Sequence, residues 1–199
     1  MAPVDLVAGG TWFGVAETGL FVALTNGKLE LQPFPFRHER SRGELVASSL
    51  RTGGLESAVE GLGQRDALAY APCHLFLAQG DQAAYVAPDA EGRFMVHRLA
   101  AGPHSLTNTG LDAEDAPSLP DGTEGMEADE VTSTLRTRLA THEGPRARCR
   151  HGEDRGTRSS AVLFLGDDLA NSRLLYAEGP PCVTEYAEVA LPVPCSSVG

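Results

Sequence analysis

Three short segments that alternate apolar and polar residues follow one another between residues 75 and 99, and they constrain the fold more than any other feature. Turn-forming residues separate them, with Gln79-Gly80-Asp81 in the first gap and Asp89 to Gly92 in the second. Alternation with period two is typical of β-strands, and gaps this short join antiparallel neighbours. The predicted strands of this meander are Leu75 to Ala78, Gln82 to Val86 and Phe94 to Leu99.

Further strands and three helices are predicted around the meander. Gly19 ends a three-residue loop and suits the positive φ of a hairpin turn. Ser41 and Glu44 have the spacing of an N-terminal capping box, which predicts a helix there. The other predicted helices are Leu55 to Leu62 and Glu127 to Leu139; the other predicted strands are Thr11 to Val15, Leu20 to Leu24, His104 to Thr107, Ser160 to Leu165 and Arg173 to Glu178.

The arrangement of these elements predicts the α+β class. Helices fall in two blocks between runs of antiparallel strands, whereas a doubly wound fold would alternate strand and helix. Ser160 to Leu165 is almost continuously apolar, which predicts a strand buried on both faces. Residues 144–156 are rich in arginine and are predicted to form a solvated loop. Residues 191–199 are predicted to be a disordered tail.

Charge and hydropathy exclude several classes of partner. The net charge of −11 argues against nucleic acid, because such binding depends on cations that neutralise phosphates. No apolar run approaches the ~18 residues of a membrane span. The first cation is Lys28, so no positively charged leader is visible and we expect a cytoplasmic protein.

Cysteine and histidine spacing predicts no metal site. The four cysteines include no Cys-x-x-Cys pair, and the six histidines show neither His-x-His nor His-x-x-x-His spacing. We therefore interpret the thiols as incidental and the histidines as scattered. The residues are Cys73, Cys149, Cys182 and Cys195, with His38, His74, His97, His104, His142 and His151.

Five blocks in a fixed order carry a resemblance to a known family. They are Gly9-Gly10-Thr11-Trp12-Phe13-Gly14, Leu24-Thr25-Asn26, Ser41-Arg42-Gly43-Glu44-Leu45-Val46, Leu106-Thr107-Asn108 and Gly156-Thr157-Arg158-Ser159-Ser160. Together they resemble the NRDE proteins, the family of transport and Golgi organisation protein 2, from about Asp5 to about Val189. The resemblance implies an αββα sandwich of two antiparallel sheets, as in N-terminal-nucleophile hydrolases.

The resemblance also implies site residues. In such amidohydrolases an N-terminal cysteine attacks a carbonyl while its free amine relays the proton. By analogy Asn26 and Asn108 would donate hydrogen bonds to the oxyanion, and Arg158 would be the charged member of the site. Structural roles compete with each assignment. Asn26 precedes Gly27 and Asn108 lies near a second glycine, so both suit turns; Arg158 could pair with a nearby carboxylate, and Trp12 is expected in the core.

One departure from the family determines the expected chemistry. The family begins with Met-Cys followed by an Asn-Arg-Asp-Glu run, whereas this chain begins with Met1-Ala2 and has neither. We therefore expect a single domain over residues 1–190 that lacks its first strands, either as a fragment or as a naturally shortened relative.

The expected function is handling of a small ligand, haem or lipid-derived, in trafficking, without catalysis in this form. The alternative is a cysteine amidohydrolase in the full-length form. If haem is the ligand, the candidate axial groups are His97, His104, Met95 and the Cys149-x-His151 pair.

Overall fold

The computed structural model describes residues 1–4, 9–28, 39–113, 125–144, 147–153 and 156–191. They belong to two structural units, one within residues 1–116 and the other within residues 117–191. Each unit has its own antiparallel sheet and at least one helix. The α+β class is thereby confirmed, whereas the stacking of the two sheets as a sandwich and the single domain stay predictions.

A five-stranded antiparallel sheet organises the first unit. Its strands lie in chain order, each paired with the next, and the predicted meander forms the last three. The loop between the first two strands ends at Gly19, whose φ of 80° confirms the predicted turn. The strands are β1 (Phe13–Val15), β2 (Phe21–Asn26), β3 (Cys73–Gln79), β4 (Gln82–Pro88) and β5 (Phe94–Leu99).

Two helices cover one face of this sheet and form the core with it. They are α1 (Arg42–Ser49) and α2 (Leu55–Gly63), both close to their predicted positions. Apolar residues on α1 pack against β2, and those at helical spacing on α2 meet the alternate residues of β3 and β4 that face the same way. The buried contributors are Leu45, Val46, Leu55, Ala58, Val59 and Leu62 from the helices and Val22, Leu75, Leu77, Ala84 and Val86 from the strands.

The start of α1 lacks its predicted cap, whereas α2 begins at Leu55 as predicted. Ser41 precedes α1, but its hydroxyl makes no capping hydrogen bond, and Glu44 instead pairs with Arg40. The predicted capping box is therefore wrong. The first N–H of α2 is satisfied from β3, because Leu55 donates to Gln79 Oε1 at 2.8 Å. Gln79 in turn donates to the Thr18 carbonyl at 2.7 Å, which links α2 to the first hairpin.

A small hairpin completes the described part of the first unit. Its strands are β6 (Leu106–Thr107) and β7 (Gly110–Leu111), so Asn108 lies in the turn between them. The base of the hairpin is held by Asp112, whose carboxylate accepts from the Ser105 N–H and bonds to His104 Nδ1, both at 2.7 Å. A short 3₁₀ turn at Ala67–Ala69 precedes β3.

The second unit contains one helix and a three-stranded sheet. They are α3 (Ala128–Leu139), β8 (Ser160–Phe164), β9 (Arg173–Ala177) and β10 (Ala187–Val189), in the sheet order β10-β9-β8, with a 3₁₀ turn at Leu169–Asn171. The predicted burial of β8 on both faces is wrong, because Ala161 is exposed between buried Ser160 and Val162. Strands at β8 and β9 were predicted, whereas β10 was not.

The segment before β8 is more ordered than a solvated loop. Cys149 is only 1% exposed, and the hydroxyl of Thr157 holds the chain on both sides of it. That hydroxyl donates to the Arg148 carbonyl and accepts from the Arg150 N–H, each at 3.0 Å. The expectation of a merely solvated loop over 144–156 is therefore wrong for the residues around Cys149.

Candidate functional site

The two Leu-Thr-Asn segments meet at the end of β2. Thr25 Oγ1 donates to the Thr107 carbonyl at 3.1 Å, and the Lys28 N–H donates to the Asn108 carbonyl at 3.0 Å. These bonds join positions about eighty residues apart in the chain, and both lie within the first unit. The backbone of the β6–β7 turn is therefore fixed against the last residues of β2.

A close backbone contact shapes the end of β2. The Gly27 N–H donates to the Pro72 carbonyl at 2.8 Å, and a Cβ on Gly27 would lie 2.8 Å from the Pro72 ring. Gly27 is not one of the described glycines that have a positive φ. The glycine after Asn26 therefore serves this close approach rather than the tight turn that an Asn-Gly pair commonly makes.

Aromatic and imidazole rings lie beside this junction. His74 Nδ1 is hydrogen-bonded to the Tyr85 hydroxyl at 2.7 Å, with the two rings nearly parallel at 5.9 Å. Tyr85 also lies against His97, with ring centroids 5.8 Å apart. Strand alternation puts all three on the sheet face opposite α1 and α2, since Tyr85 is the register partner of Phe76 and His97. They form a row of rings across β3, β4 and β5.

Burial shifts the pKa values of two of these residues, His74 and Tyr85. It lowers the pKa of His74, against a smaller opposing effect of the hydrogen bond to the Asn108 carbonyl. It raises the pKa of Tyr85, while a hydrogen bond from the Leu111 backbone opposes the rise. A neutral His74 can accept from Tyr85 and donate to Asn108 at the same time. The imidazole therefore connects the ring row to the second Leu-Thr-Asn segment.

Cys73 is the cysteine nearest this junction in the chain, and it lies on the opposite face of the sheet. It is the register partner of Asn26 and is 1% exposed. Burial raises the pKa of its thiol to about 12, although Arg42 acts in the other direction. The thiol is therefore protonated at neutral pH, and a protonated thiol is a poor nucleophile.

The three residues expected in the site have different positions. Asn26 and Asn108 are both exposed, and their segments meet, but the side chain that makes the contact is Thr25, one residue before Asn26. Asn108 occupies the β6–β7 turn, in line with the structural alternative. Arg158 belongs to the second unit and is exposed just before β8. Their roles at an oxyanion stay predictions.

Trp12 does not pack in the core as expected. Its side chain is 48% exposed, among the highest values for a large apolar residue in the described chain. Gly10, two residues before Trp12, makes the close contact instead. A Cβ on Gly10 would lie 3.1 Å from the Gly43 Cα, so the Gly-Gly-Thr-Trp block and the Ser-Arg-Gly-Glu block touch through two glycines.

The candidate haem ligands differ in whether their donor atoms already make hydrogen bonds. Both nitrogens of His104 are used, Nδ1 by Asp112 and Nε2 by the Ala100 carbonyl at 3.0 Å. His97 and Met95 are exposed two residues apart on β5, on the face of the ring row. Cys149 and His151 belong to a separate cluster in the second unit.

A comparison with protein families covers the first unit and the α3 helix of the second. The family model described as transport and Golgi organisation 2 matches residues 1–141. The chain belongs to this family. The match includes both Leu-Thr-Asn segments and the two glycine blocks that touch through Gly10 and Gly43, whereas the Gly-Thr-Arg-Ser-Ser block lies beyond it. None of the curated proteins compared with the chain matches it.

Membership makes this a transport and Golgi organisation type protein. Among the helices in the described part of the chain, none is both long and apolar enough to cross a bilayer. The second unit of this family member has a polar cavity of about 440 Å³ beside α3. Arg173 lines it and bonds to Asp129 and Glu188, so the charges around the cavity are largely paired.

The sequence patterns did not predict Thr25, His74 and Tyr85 as site residues. Thr25 and Thr107 occupy the same place in the two Leu-Thr-Asn blocks, which was the available signal for their contact. The His74–Tyr85 bond depends on the register of β3 with β4. Spacing along the chain alone gave no signal for it.

Proposed function

We propose that this chain binds a small, flat, largely apolar ligand, haem or lipid-derived, in cytoplasmic trafficking, and that it does so without hydrolysing the ligand. The binding surface would be the ring row of His74, Tyr85 and His97 beside the junction of the Leu-Thr-Asn segments. The observation that carries the proposal is this row, fixed at one end by the bond between His74 and Tyr85.

The ring row offers the shape and polarity that a conjugated ligand needs. Three rings follow one another across neighbouring strands at centroid spacings of 5.9 and 5.8 Å. Aromatic rings stack on flat ligands, and histidine and methionine are common axial ligands of haem iron. His97, at the exposed end of the row, and Met95 on the same face supply such donors.

The state of Cys73 favours binding over acyl transfer. Catalysis by a cysteine needs an accessible thiolate. Cys73 is buried against the helices, and its raised pKa keeps it protonated. The ring row lies on the opposite face of the sheet, so a ligand there would not reach this thiol.

Titration of the purified chain with haemin tests the proposal directly. We expect a shifted Soret band that saturates at one haem per chain, and we expect His97→Ala to abolish or greatly weaken it. The matched control is His104→Gln, which should keep the shift because both ring nitrogens of His104 are already engaged. No shift with the unmodified chain would eliminate haem. Failure of a fluorescent fatty acid to bind as well would eliminate the ring row as a ligand surface.

A cysteine N-terminal-nucleophile amidohydrolase, in a longer form of the chain, is the second candidate. The contact between the Asn26 and Asn108 segments favours it, because each segment ends in a carboxamide residue, the type that can donate hydrogen bonds to an oxyanion. The test is to extend the chain with a family-type N-terminal segment that begins with cysteine. Burst release of product from an amide or ester substrate, lost in Asn108→Ala, would support it. The absence of a burst would contradict it.

A further inference from the structure

Four side chains of the second unit that commonly bind metals come together around one point. They are His142, Cys149, His151 and Cys182, and their ligand atoms all lie within 4.8 Å of one another. Cys149 Sγ is 3.5 Å from Cys182 Sγ and 3.5 Å from His151 Nε2, while Cys182 Sγ is 3.3 Å from His151 Nε2. We propose that this cluster, the Cys2His2 cluster, binds a structural zinc ion.

The three separations among Cys149, His151 and Cys182 match the edges of a zinc tetrahedron. With Zn–S of about 2.3 Å and Zn–N of about 2.0–2.1 Å, tetrahedral geometry requires roughly 3.8 Å between two sulfurs and roughly 3.5 Å between sulfur and nitrogen. The observed distances of 3.3 to 3.5 Å are within a few tenths of an ångström of these values. The His142 ring lies 5.0 Å from the His151 ring, centroid to centroid, and its ligand atom is within 4.8 Å of the other three.

The donor set selects the metal. Two thiolates and two imidazoles suit zinc, whereas calcium and magnesium prefer oxygen ligands. Four protein ligands also close the tetrahedron and leave no position for substrate or water. A closed site of this kind stabilises structure, while a catalytic zinc keeps one position open.

Hydrogen bonds of the backbone hold the first two ligands in place. The Thr141 carbonyl, next to His142, accepts from the Arg148 N–H at 2.9 Å and from the Cys149 N–H at 3.0 Å. Thr157 then clamps the residues on both sides of Cys149 through its hydroxyl. The chain after α3 is therefore folded back so that His142 and Cys149 are adjacent before any ion binds.

A tight turn supplies the fourth ligand from beyond the β8–β9 pair. The N–H groups of Val183 and Thr184 both donate to the Pro180 carbonyl at 3.1 Å, which places Cys182 inside one helical turn. Gly179 permits this turn, because a Cβ there would overlap the Thr184 hydroxyl oxygen. The ligands thus come from the chain before and after the strand pair.

The cluster is independent of the proposed ligand site and of the family match. All four ligands lie at residues 142–182, beyond the matched residues 1–141 and within the second unit. The ring row belongs to the first unit. A failure of haem binding would therefore leave the zinc proposal intact, and the reverse also holds.

Elemental analysis of the full chain, purified under reducing conditions without a metal-affinity tag, tests the proposal. We expect about one zinc per chain. After zinc removal, Co²⁺ should bind with the visible absorption of tetrahedral coordination and a sulfur-to-cobalt charge-transfer band. This spectrum reports the ligand set without requiring any variant to fold.

Paired variants identify the ligands. Cys182→Ser should lower the zinc content at least tenfold, and His151→Asn should weaken the cobalt spectrum. The controls are Cys73→Ala and His97→Asn, which change a thiol and an imidazole outside the cluster and should keep full zinc content.

Four results would overturn the proposal. The first is a chain with free thiols that takes up neither Zn²⁺ nor Co²⁺. The second is a Cys149–Cys182 disulfide in protein isolated without oxidant. The third is iron in place of zinc, and the fourth is unchanged zinc content in Cys182→Ser.

Discussion

The backbone of Gly43 lies directly against that of Gly10. A Cβ on Gly43 would come within 2.9 Å of the Gly10 Cα and 2.8 Å of the Thr11 nitrogen, and neither atom belongs to a flexible side chain. The start of α1 and the residues just before β1 therefore approach more closely than any side chain would allow. Two of the blocks by which the family resemblance was found owe their glycines to this one contact.

Gly43→Ala should lower the free energy of unfolding by about 1–3 kcal/mol, because the added methyl forces the two backbones apart. The matched control is Gly61→Ala in α2, where a Cβ would meet nothing within 4 Å. Removing glycine from the helix should raise the free energy of unfolding by about 0.5–1 kcal/mol. Urea denaturation measures both. A Gly43→Ala chain as stable as the unmodified one would contradict the close contact.

Gln79→Ala should destabilise the first unit by about 1 kcal/mol, as loss of a helix cap does. The substitution removes both the acceptor for the Leu55 N–H and the donor to the Thr18 carbonyl. Gln82→Ala is the control, since Gln82 is exposed on β4 directly opposite Gln79. Equal denaturation midpoints for the two variants would show that Gln79 does not cap α2.

The His104–Asp112 pair should stabilise the β6–β7 hairpin only within a limited pH range. The hydrogen bond to Asp112, and then that to the Ala100 carbonyl, raises the pKa of His104 above its ordinary 6.5. The same bond to His104 lowers the pKa of Asp112 below 3.8. The contribution of this pair to the free energy of unfolding is therefore complete below the unfolded pKa of histidine. It is lost as pH rises through the raised pKa of His104 in the folded chain. It is also lost in acid as Asp112 becomes protonated.

The measurement compares unfolding of the unmodified chain and His104→Gln at about pH 5.5 and about pH 8.5. The unmodified chain should be more stable by about 0.5 kcal/mol at the lower pH, because exposed pairs contribute little. The difference should shrink at the higher pH. A difference that grows with pH would contradict the assigned direction.

Cys73 should resist alkylation in the folded chain. Its thiol is 1% exposed, and its pKa is raised to about 12 by burial, so little thiolate exists at about pH 8. Mass spectrometry after iodoacetamide treatment should find Cys73 unmodified in the native chain and fully modified in urea. Half-buried Cys182, after treatment with a chelator, is the positive control. Rapid native modification of Cys73 would remove the argument against it as a nucleophile.

Local sequence patterns predicted the meander and the helices because their causes are local. Phe94–Leu99 forms as expected, and Gly19 adopts the predicted φ. β10 was not predicted, because it has only three residues and two of them are exposed. The apolar run at β8 led to the wrong prediction that both faces are buried, because the small Ala161 is part of the run but is exposed.

The candidate sites depend on contacts that spacing does not encode. The motif located the segments of Asn26 and Asn108, yet the contact between them is made by Thr25. His74 meets Tyr85 diagonally across β3 and β4, so their bond follows from strand register. Cys149 and Cys182 are separated by the whole β8–β9 pair, which is why no Cys-x-x-Cys pattern pointed to them.

That separation has a mechanical consequence. With an ion bound by all four ligands, the chain from His142 to Cys182 becomes a closed loop that carries no tension when the ends of the molecule are pulled. The β8–β9 pair lies inside this loop and would be shielded from the applied force. Removal of the ion would release roughly 130 Å of additional extended chain, the length of about 40 residues at full stretch.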